Sequence, residues 1–149
     1  MIEEKEGIRI VVMGNPVTQL RPIFNSHTKT ASDPKKSRDY KKKVGETAKN
    51  YLGDKWVPLD EPLKIVVTFY REIPASWGEK KRKEAVDGIL LPITTPDTDN
   101  YLKCWLDGNT GITWKDDNCI VEIMAKKLYS SFPRTEMKIY RRNDRGEWI

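Results

Sequence analysis

Four stretches of the chain combine apolar and β-branched residues in the runs and alternations that are typical of β-strands. The first ends at Gly14-Asn15-Pro16, which cannot continue a ladder, and the second begins at Pro62. Only residues 130–133 separate the last two stretches, so we expect these to form an antiparallel pair. The pattern predicts strands over residues 8–13, 62–70, 118–129 and 134–142.

Three other stretches carry the spacing and capping residues of helices. Asp33 and Pro34 offer an N-cap and a proline in the first helical position, and Ser76 can cap a short charged helix. Gly108 closes the third helix. The pattern predicts helices from Asp33-Pro34 to about residue 52, over residues 77–86 and over residues 99–108. In the first of them the core stripe comprises Tyr40, Val44, Ala48, Tyr51 and Leu52.

Residues 17–34 show no hydrophobic period and are rich in polar residues, which indicates a long loop. A chain of 149 residues is long enough to form one domain with its own core. Elements in this order predict a single mixed α+β domain of about four strands and three helices. We expect residues 8–142 to form that domain, residues 1–7 to be a flexible N-terminal tail, and residues 143–149 to be a C-terminal tail.

The composition is that of an ordinary soluble protein, with 38% hydrophobic and 33% charged residues. No apolar run approaches the roughly 20 residues that span a bilayer, and the N-terminus lacks the basic and apolar regions of a signal peptide. We therefore expect no membrane partner and a cytoplasmic location. Cys104 and Cys119 form no CxxC motif and have no His nearby, which favours buried or half-buried thiols.

The net charge of +5 is concentrated in one segment. Six basic residues stand against Asp39 between residues 35 and 43, at the start of the first predicted helix, where cations oppose the helix dipole. These side chains are either a solvated face or contacts to a polyanion, and phosphate is the partner that such clusters favour. The basic residues are Lys35, Lys36, Arg38, Lys41, Lys42 and Lys43.

Acidic residues gather at the third predicted helix and shortly after it. On that helix Asp99, Lys103 and Asp107 follow at i, i+4 and i+8, so they span about 80° of one face, which is largely separate from the apolar stripe. Asp97 precedes the helix and can point toward the same end, and Asp116-Asp117 lies in the turn before the next strand. Carboxylates from separate segments are thereby placed to meet.

Such a group of carboxylates suits magnesium, which takes hard oxygen ligands and keeps several waters. A bound magnesium ion polarises a phosphoryl oxygen and lowers the pKa of a bound water, and Lys103 is placed to meet the extra negative charge of the transition state. Each acid also has an ordinary structural interpretation, as an N-cap, an acid at the helix dipole, a partner in an i,i+4 ion pair or a turn residue. The pattern alone leaves both interpretations open.

The same residues resemble the signature of a known family. The run Pro96-Asp97-Thr98-Asp99-Asn100-Tyr101-Leu102-Lys103, followed by Asp107 and by Asp116-Asp117, is similar to the PDxDNxxK, D and DD pattern of the RusA family of Holliday-junction resolvases. Further landmarks are Gly14-Asn15-Pro16 with Arg21-Pro22, and Ala75-Ser76-Trp77 before a basic helix. The resemblance covers residues 8–142.

This resemblance implies a small α/β homodimer, often encoded by phages and prophages, that cuts four-way DNA by paired metal-dependent nicks in recombination and repair. Its cofactor would be Mg²⁺, with Mn²⁺ as a substitute. The implied catalytic residues are Asp97, Asp99, Lys103 and Asp117. The implied metal ligands are Asp97, Asp99, Asp117 and Asp116, with Asn100 and Asp107 in support. The implied DNA contacts are the basic residues of the first helix together with Arg21.

Two other classes of function stay open at this stage. One is a DNA-binding protein that recognises branched DNA without cutting it, and a related one is a nuclease for other branched DNA. A nucleotide or sugar-phosphate enzyme is disfavoured, because the chain has no glycine-rich phosphate loop and no cluster of histidines. The single histidine, His27, lies in a polar segment without a partner nearby in sequence, which favours a bystander over a general base.

Overall fold

The computed structural model describes residues 7–149, so the predicted flexible tail lies, apart from Gly7, outside the described residues. Within this range the prediction of a mixed α+β single domain is confirmed, with three helices and six strands. The strands are β1 (Ile8–Met13), β2 (Ile23–Asn25), β3 (Thr30–Ser32), β4 (Leu63–Glu72), β5 (Ile120–Ser130) and β6 (Arg134–Tyr140). The helices are α1 (Lys35–Leu52), α2 (Glu79–Val86) and α3 (Thr98–Asn109).

Four strands form one sheet in the order β1-β6-β4-β5. Strand β6 runs antiparallel to both β1 and β4, and β5 runs parallel to β4. The predicted antiparallel pairing of the last two strands is therefore wrong, because β4 lies between them. The reason is burial: every second residue of β4, from Leu63 to Phe69, is at most 1% exposed, so this strand takes a central position. The short connection after β5 spans the two strand spacings, about 10 Å.

Helices α1 and α3 pack on one face of the sheet and close the core over β4. Trp105 of α3 is fully buried, and its indole N–H lies 3.1 Å from the sulfur of Met137 on β6. The two helices approach closely at Gly108, where an added Cβ would come within 2.9 Å of the Val44 side chain. This contact fixes how the last turn of α3 faces α1.

Several predicted boundaries shift in the structure. Helix α1 begins at Lys35 with Pro34 in the cap position and no side-chain cap, because the Asp33 carboxylate binds Lys41 instead. Helix α2 begins at Glu79 after Gly78, so Ser76 is not its cap. The predicted core stripe of α1 loses one member, since Tyr51 is 53% exposed.

The predicted loop 17–34 contains a short hairpin, in which β2 and β3 pair antiparallel. At the C-terminus, backbone hydrogen bonds between Arg141 and Ile149 fold residues 143–149 back on the domain. The expectation for the two cysteines is confirmed: Cys104 is buried, Cys119 is half-buried, and both are free thiols. Burial raises the pKa of the Cys104 thiol to about 11. None of the helices in residues 7–149 is long and apolar enough to cross a bilayer.

Candidate metal centre and nucleic-acid interface

The first turn of α3 presents two carboxylates to solvent. Asp97 occupies the cap position, but its side chain makes no capping hydrogen bond, so its structural interpretation as an N-cap fails. Asp99 is 69% exposed at its side chain, and its Oδ2 lies 3.8 Å from Nζ of Lys103, which is 64% exposed. The predicted sharing of one exposed helix face by Asp99 and Lys103 is confirmed. The ion pair between Asp99 and Lys103 is long and exposed, so both side chains are available to a ligand.

The segment before Asp97 is held by two cations that the sequence analysis missed. Arg71, from β4, donates to the carbonyl oxygens of Thr94 and Thr95 at 3.0 and 3.2 Å. Lys127, from β5, donates to the carbonyls of Thr94 and Pro96 at 2.8 and 3.1 Å. The sequence carried one signal, which is Lys127 itself. This residue is charged, although the alternation along β5 places it on the face of the sheet toward the helices.

The last turn of α3 is built differently. Nζ of Lys41 lies 3.2 Å from Oδ2 of Asp107 and 2.6 Å from Oδ2 of Asp33, and the Lys41 side chain is only 16% exposed. Burial by itself lowers the pKa of Lys41, but its hydrogen bonds to both carboxylates outweigh that effect and raise the pKa above its ordinary value. Lys41 therefore acts here as an internal counter-ion, whereas the sequence predicted a DNA contact.

Asp116 and Asp117 follow α3 on a firmly held segment. Trp114 is fully buried, and its neighbour Lys115 donates its backbone N–H to the carbonyl of Leu59 at 2.9 Å. Oδ1 of Asp116 accepts a hydrogen bond from the backbone N–H of Asn118 at 2.9 Å and caps the short 3-10 turn Asp117–Cys119. Asp116 thus has a structural task, and Asp117 is left exposed beside it.

The pKa of Asp117 lies above its ordinary value. The largest cause is a hydrogen bond with the Asp116 carboxyl group, followed by burial and by the negative charges of Asp116 and Asp107. Two carboxyl groups placed this close together mark a place where negative potential accumulates. This surrounding favours binding of a positive ion.

The predicted ligands form two groups in the structure. Within residues 7–149, no three acidic, histidine or cysteine side chains lie close enough together to hold one metal ion. Asp97 and Asp99 lie at the start of α3, whereas Asp117 feels the negative charge of Asp107, which stands about 12 Å further along the helix axis than Asp99. Magnesium is often bound by one or two carboxylates together with waters and substrate phosphates. The pair Asp97 and Asp99 and the pair Asp116 and Asp117 therefore each fit a magnesium ion by the chemistry of their oxygen donors.

A polar cleft of about 340 Å³ lies beside the start of α3. Its walls include Pro96, next to Asp97, and the cations Lys36 and Arg71. The cleft thus lies between Lys36, which belongs to the predicted DNA-binding segment, and the segment that carries Asp97 and Asp99. Its walls carry Lys36 and Arg71 against the single negative charge of Glu72, and this net positive charge suits a phosphate backbone.

The rest of the basic segment is divided among different surroundings. Lys35 is 82% exposed at its side chain and lies 4.0 Å from Asp39, and Arg38 donates to the carbonyl of Asp33. Lys43 donates to the carbonyl of Met13. Lys42 and Arg21 are exposed. The support residues also differ: Asn100 is half-buried and accepts the Gln19 N–H at its backbone oxygen, and Asp107 is bound by Lys41.

Comparison with known proteins shows the family of the chain. The family model described as Endodeoxyribonuclease RusA matches residues 13–140. The chain belongs to the RusA endodeoxyribonuclease family. It is also 35% identical over 137 residues to the protein YqaN of Bacillus subtilis (strain 168), an alignment that covers 89% of this chain and 94% of that protein. The matched range includes every predicted catalytic residue of this RusA-family chain.

Proposed function

We propose that the chain is a magnesium-dependent crossover junction endonuclease, which acts as a cytoplasmic homodimer and resolves Holliday junctions by paired symmetric nicks in recombination and repair. The observation that carries this proposal is the exposed set of Asp97, Asp99 and Lys103 at the start of α3 in a member of an endodeoxyribonuclease family. Manganese is proposed as a substitute for magnesium.

In this proposal Asp97 and Asp99 would hold magnesium at the start of α3, and Asp117, supported by Asp116, would hold magnesium separately, with waters and substrate phosphates as the remaining ligands. When bound, the ion supplies Lewis-acid activation of the phosphodiester and a water of lowered pKa. The Asp116 hydrogen bond to Asn118 fixes the turn from which Asp117 projects. A hydrogen bond with Asp116, burial and the negative charges of Asp116 and Asp107 raise the pKa of Asp117, and a divalent cation bound there would relieve the repulsion among these acids.

Lys103 is assigned to the transferring phosphate. Its ammonium group is exposed and lies 3.8 Å from Asp99, so it can turn toward a phosphate oxygen without losing a buried partner. A positioned cation of this kind stabilises the negative charge that grows on the phosphoryl oxygens as the bond breaks. Arg71 and Lys127 act through Thr94 and Pro96, whose carbonyls they hold, and so position the segment that ends at Asp97.

DNA contacts are assigned to the cleft beside Asp97 and to the exposed cations of α1. Lys36 lines that cleft with Arg71, and Lys35, Arg38, Lys42, Lys43 and Arg21 lie at the exposed surface. Phosphate contacts of this kind release counter-ions, so junction binding is expected to weaken steeply with salt. Lys41 is excluded from this set because it is bound to Asp33 and Asp107.

The test compares a labelled four-way junction with a linear duplex that carries the same arm sequence. With Mg²⁺ the wild-type protein is expected to nick two opposed strands of the junction symmetrically and to leave the duplex intact. Salt-sensitive binding without cleavage in Mg²⁺ or Mn²⁺ would overturn the proposal in favour of a DNA-binding protein. Equal cutting of flaps and forks would indicate a broader branched-DNA nuclease, and inhibition by mononucleotides would indicate a nucleotide enzyme.

A further inference from the structure

Strands β2 and β3 form a hairpin that lies entirely at the surface. They pair over three residues each, and all ten residues from Ile23 to Ser32 are exposed. The turn between them is held by one of its own side chains, because Oδ1 of Asn25 accepts hydrogen bonds from the backbone N–H groups of His27 and Thr28 at 2.9 and 3.3 Å. The hairpin thus has a defined shape although none of its residues is buried.

Two large apolar side chains of this hairpin lie in solvent. Ile23 is 59% exposed and Phe24 is 65% exposed. They point to opposite faces of the hairpin, because successive residues of a strand alternate. Phe24 is paired with Ala31, so the opposing strand offers only a methyl group beside the aromatic ring. Both faces of the hairpin therefore present apolar surface that the fold does not use.

Both ends of the hairpin are fixed beside the first turn of α3. Before β2, the backbone N–H of Gln19 donates to the carbonyl of Asn100 at 3.1 Å, directly after Asp99. After β3, the carboxylate of Asp33 accepts a hydrogen bond from the Gln19 side chain at 3.3 Å. Phe24 follows Gln19 by five residues, so their Cα atoms are at most about 17 Å apart. This is the length of about five stacked nucleotides of one strand, so a phosphate bound at Asp99 brings bases within reach of Phe24.

The charge of this segment favours a nucleic acid as its occupant. Residues 8–32 include no acidic residue, and the hairpin and the residues before it carry Arg21, His27 and Lys29. A polyanion can therefore approach either face of the hairpin without meeting a negative charge. An apolar protein partner would gain nothing from these cations, whereas a DNA strand presents phosphates beside the flat apolar faces of its bases.

We propose that Phe24 stacks on a base that is unstacked at a branch point of DNA, and that this contact makes the protein select branched DNA over linear duplex. In a continuous duplex the neighbouring pairs cover the base faces, and an apolar side chain reaches them only where two pairs separate. At a branch point the stack is interrupted, so a base face is open. An aromatic ring can stack on any base, so the contact reads the branch and not the sequence.

The Phe24 contact rests on the proposed function for the presence of branched DNA at α3, and it adds the side chain that recognises the branch. It differs from the phosphate contacts assigned to Arg21 and to α1, because linear and branched DNA offer phosphates alike. Loss of a phosphate contact is therefore expected to weaken binding of both DNAs, whereas loss of the stack is expected to weaken binding of the junction alone.

Binding measured without divalent metal tests the contact apart from cleavage. The probes are a labelled four-way junction and a linear duplex with the same arm sequence. We expect Phe24→Ala to weaken junction binding by roughly tenfold, since one base stack is lost, and to leave duplex binding nearly unchanged. Phe24→Trp is expected to retain junction binding, and Arg21→Gln to weaken binding of both DNAs. The matched control is Tyr51→Ala, which removes an aromatic ring that is 53% exposed and lies about 22 Å further along α1 than Lys36.

A missing base locates the contact on the DNA. Each base next to the branch point is replaced in turn by an abasic site, which keeps the phosphates in place. At one of these positions we expect the wild-type protein to lose roughly tenfold in junction affinity and Phe24→Ala to lose nothing further, because its stack is already absent. A melting temperature equal to that of the wild type confirms that Phe24→Ala is folded.

Equal losses of junction and duplex binding in Phe24→Ala, or no loss of either, would overturn the inference. Additive losses from Phe24→Ala and from every abasic site would also overturn it, as would a variant that changes self-association in sedimentation and leaves DNA binding unchanged. A preference for junctions that depends on Phe24, in a protein that cuts no junction with Mg²⁺, would overturn only the proposed function. Symmetric junction cleavage by a protein whose preference for junctions is the same in Phe24→Ala would overturn only the role of Phe24.

Discussion

The two ends of α3 place the same residue type in different surroundings. At the first turn, Asp97 and Asp99 are exposed, and Lys103 lies 3.8 Å from Asp99. At the last turn, Asp107 is bound at 3.2 Å by Lys41, whose side chain is largely buried and also binds Asp33. A carboxylate that is held by an internal cation contributes to the architecture, whereas one that is left in solvent is available to a ligand.

Asp117 sharpens this comparison because the negative charge of Asp107 acts on it, and yet it forms no ion pair with any residue in the range 7–149. A hydrogen bond with the Asp116 carboxyl group raises its pKa instead. An acid is therefore available for chemistry when no internal cation binds it, whether it lies at the start of α3 or after the end of that helix.

The largest effect is expected at Asp117. We expect Asp117→Asn to slow junction cleavage by roughly 10²–10³-fold, the range found when one charge-stabilising group is removed from an active site, without lowering the melting temperature. The matched control is Asp116→Asn, because asparagine caps as well as aspartate and keeps the bond to Asn118. Equal losses in the two variants, measured in single-turnover assays, would contradict the division between Asp117 and Asp116.

Lys103 is expected to matter for the chemical step more than for binding. Lys103→Gln should reduce the single-turnover rate by about 10²-fold and change junction affinity little, because one exposed charge among many adds little to binding. Lys55→Gln is the matched control, since Lys55 is an exposed lysine outside the assigned DNA contacts. A loss of affinity that accounts for the whole effect in Lys103→Gln would assign this residue to DNA binding instead.

Lys41 is expected to contribute to stability. Replacing it by Met removes charged hydrogen bonds from Asp33 and Asp107, and we expect a loss of about 1–3 kcal/mol in the free energy of unfolding. Urea denaturation measures this loss, with Lys42→Met as the exposed control. An unchanged midpoint would show that the Lys41 network does not stabilise the fold.

The smallest expected effect is on how the free energy of unfolding changes at acidic pH. The hydrogen bond from Lys41 holds the pKa of Asp33 below its ordinary value of 3.8, against the opposing effect of burial. The unfolded chain therefore binds a proton at Asp33 more readily, so this stabilisation is present above pH 3.8 and is lost as the pH falls below it. We expect Asp33→Asn to lower the free energy of unfolding at neutral pH and to make its decline below pH 3.8 less steep. If the free energy of unfolding falls with pH in parallel for wild type and Asp33→Asn, the assignment of this stabilisation to Asp33 is contradicted.

Much of this arrangement follows from local sequence. Periodicity placed α3 and separated Asp99 and Lys103 from the buried Tyr101 and Trp105, because helix geometry depends only on spacing. The family signature then selected these acids from many others in the chain.

The rest depends on contacts between distant segments. The pairing of Lys41 with Asp107 requires α1 and α3 to meet at Gly108, and no local pattern reports that approach. The alternation of β5 and β6 could not show that β4 lies between them. Arg71 was not singled out because its partners are backbone carbonyls 23 and 24 residues away.

The most direct test of the account compares Asp99→Asn with Asp107→Asn, two exposed-face positions of the same helix. We predict that Asp99→Asn loses junction cleavage by roughly 10²–10³-fold at an unchanged melting temperature, whereas Asp107→Asn, which loses its bond to Lys41, has a lower melting temperature and a much smaller loss of cleavage. Junction cleavage by Asp99→Asn at the wild-type rate would contradict the assignment of the acids at the start of α3 to catalysis.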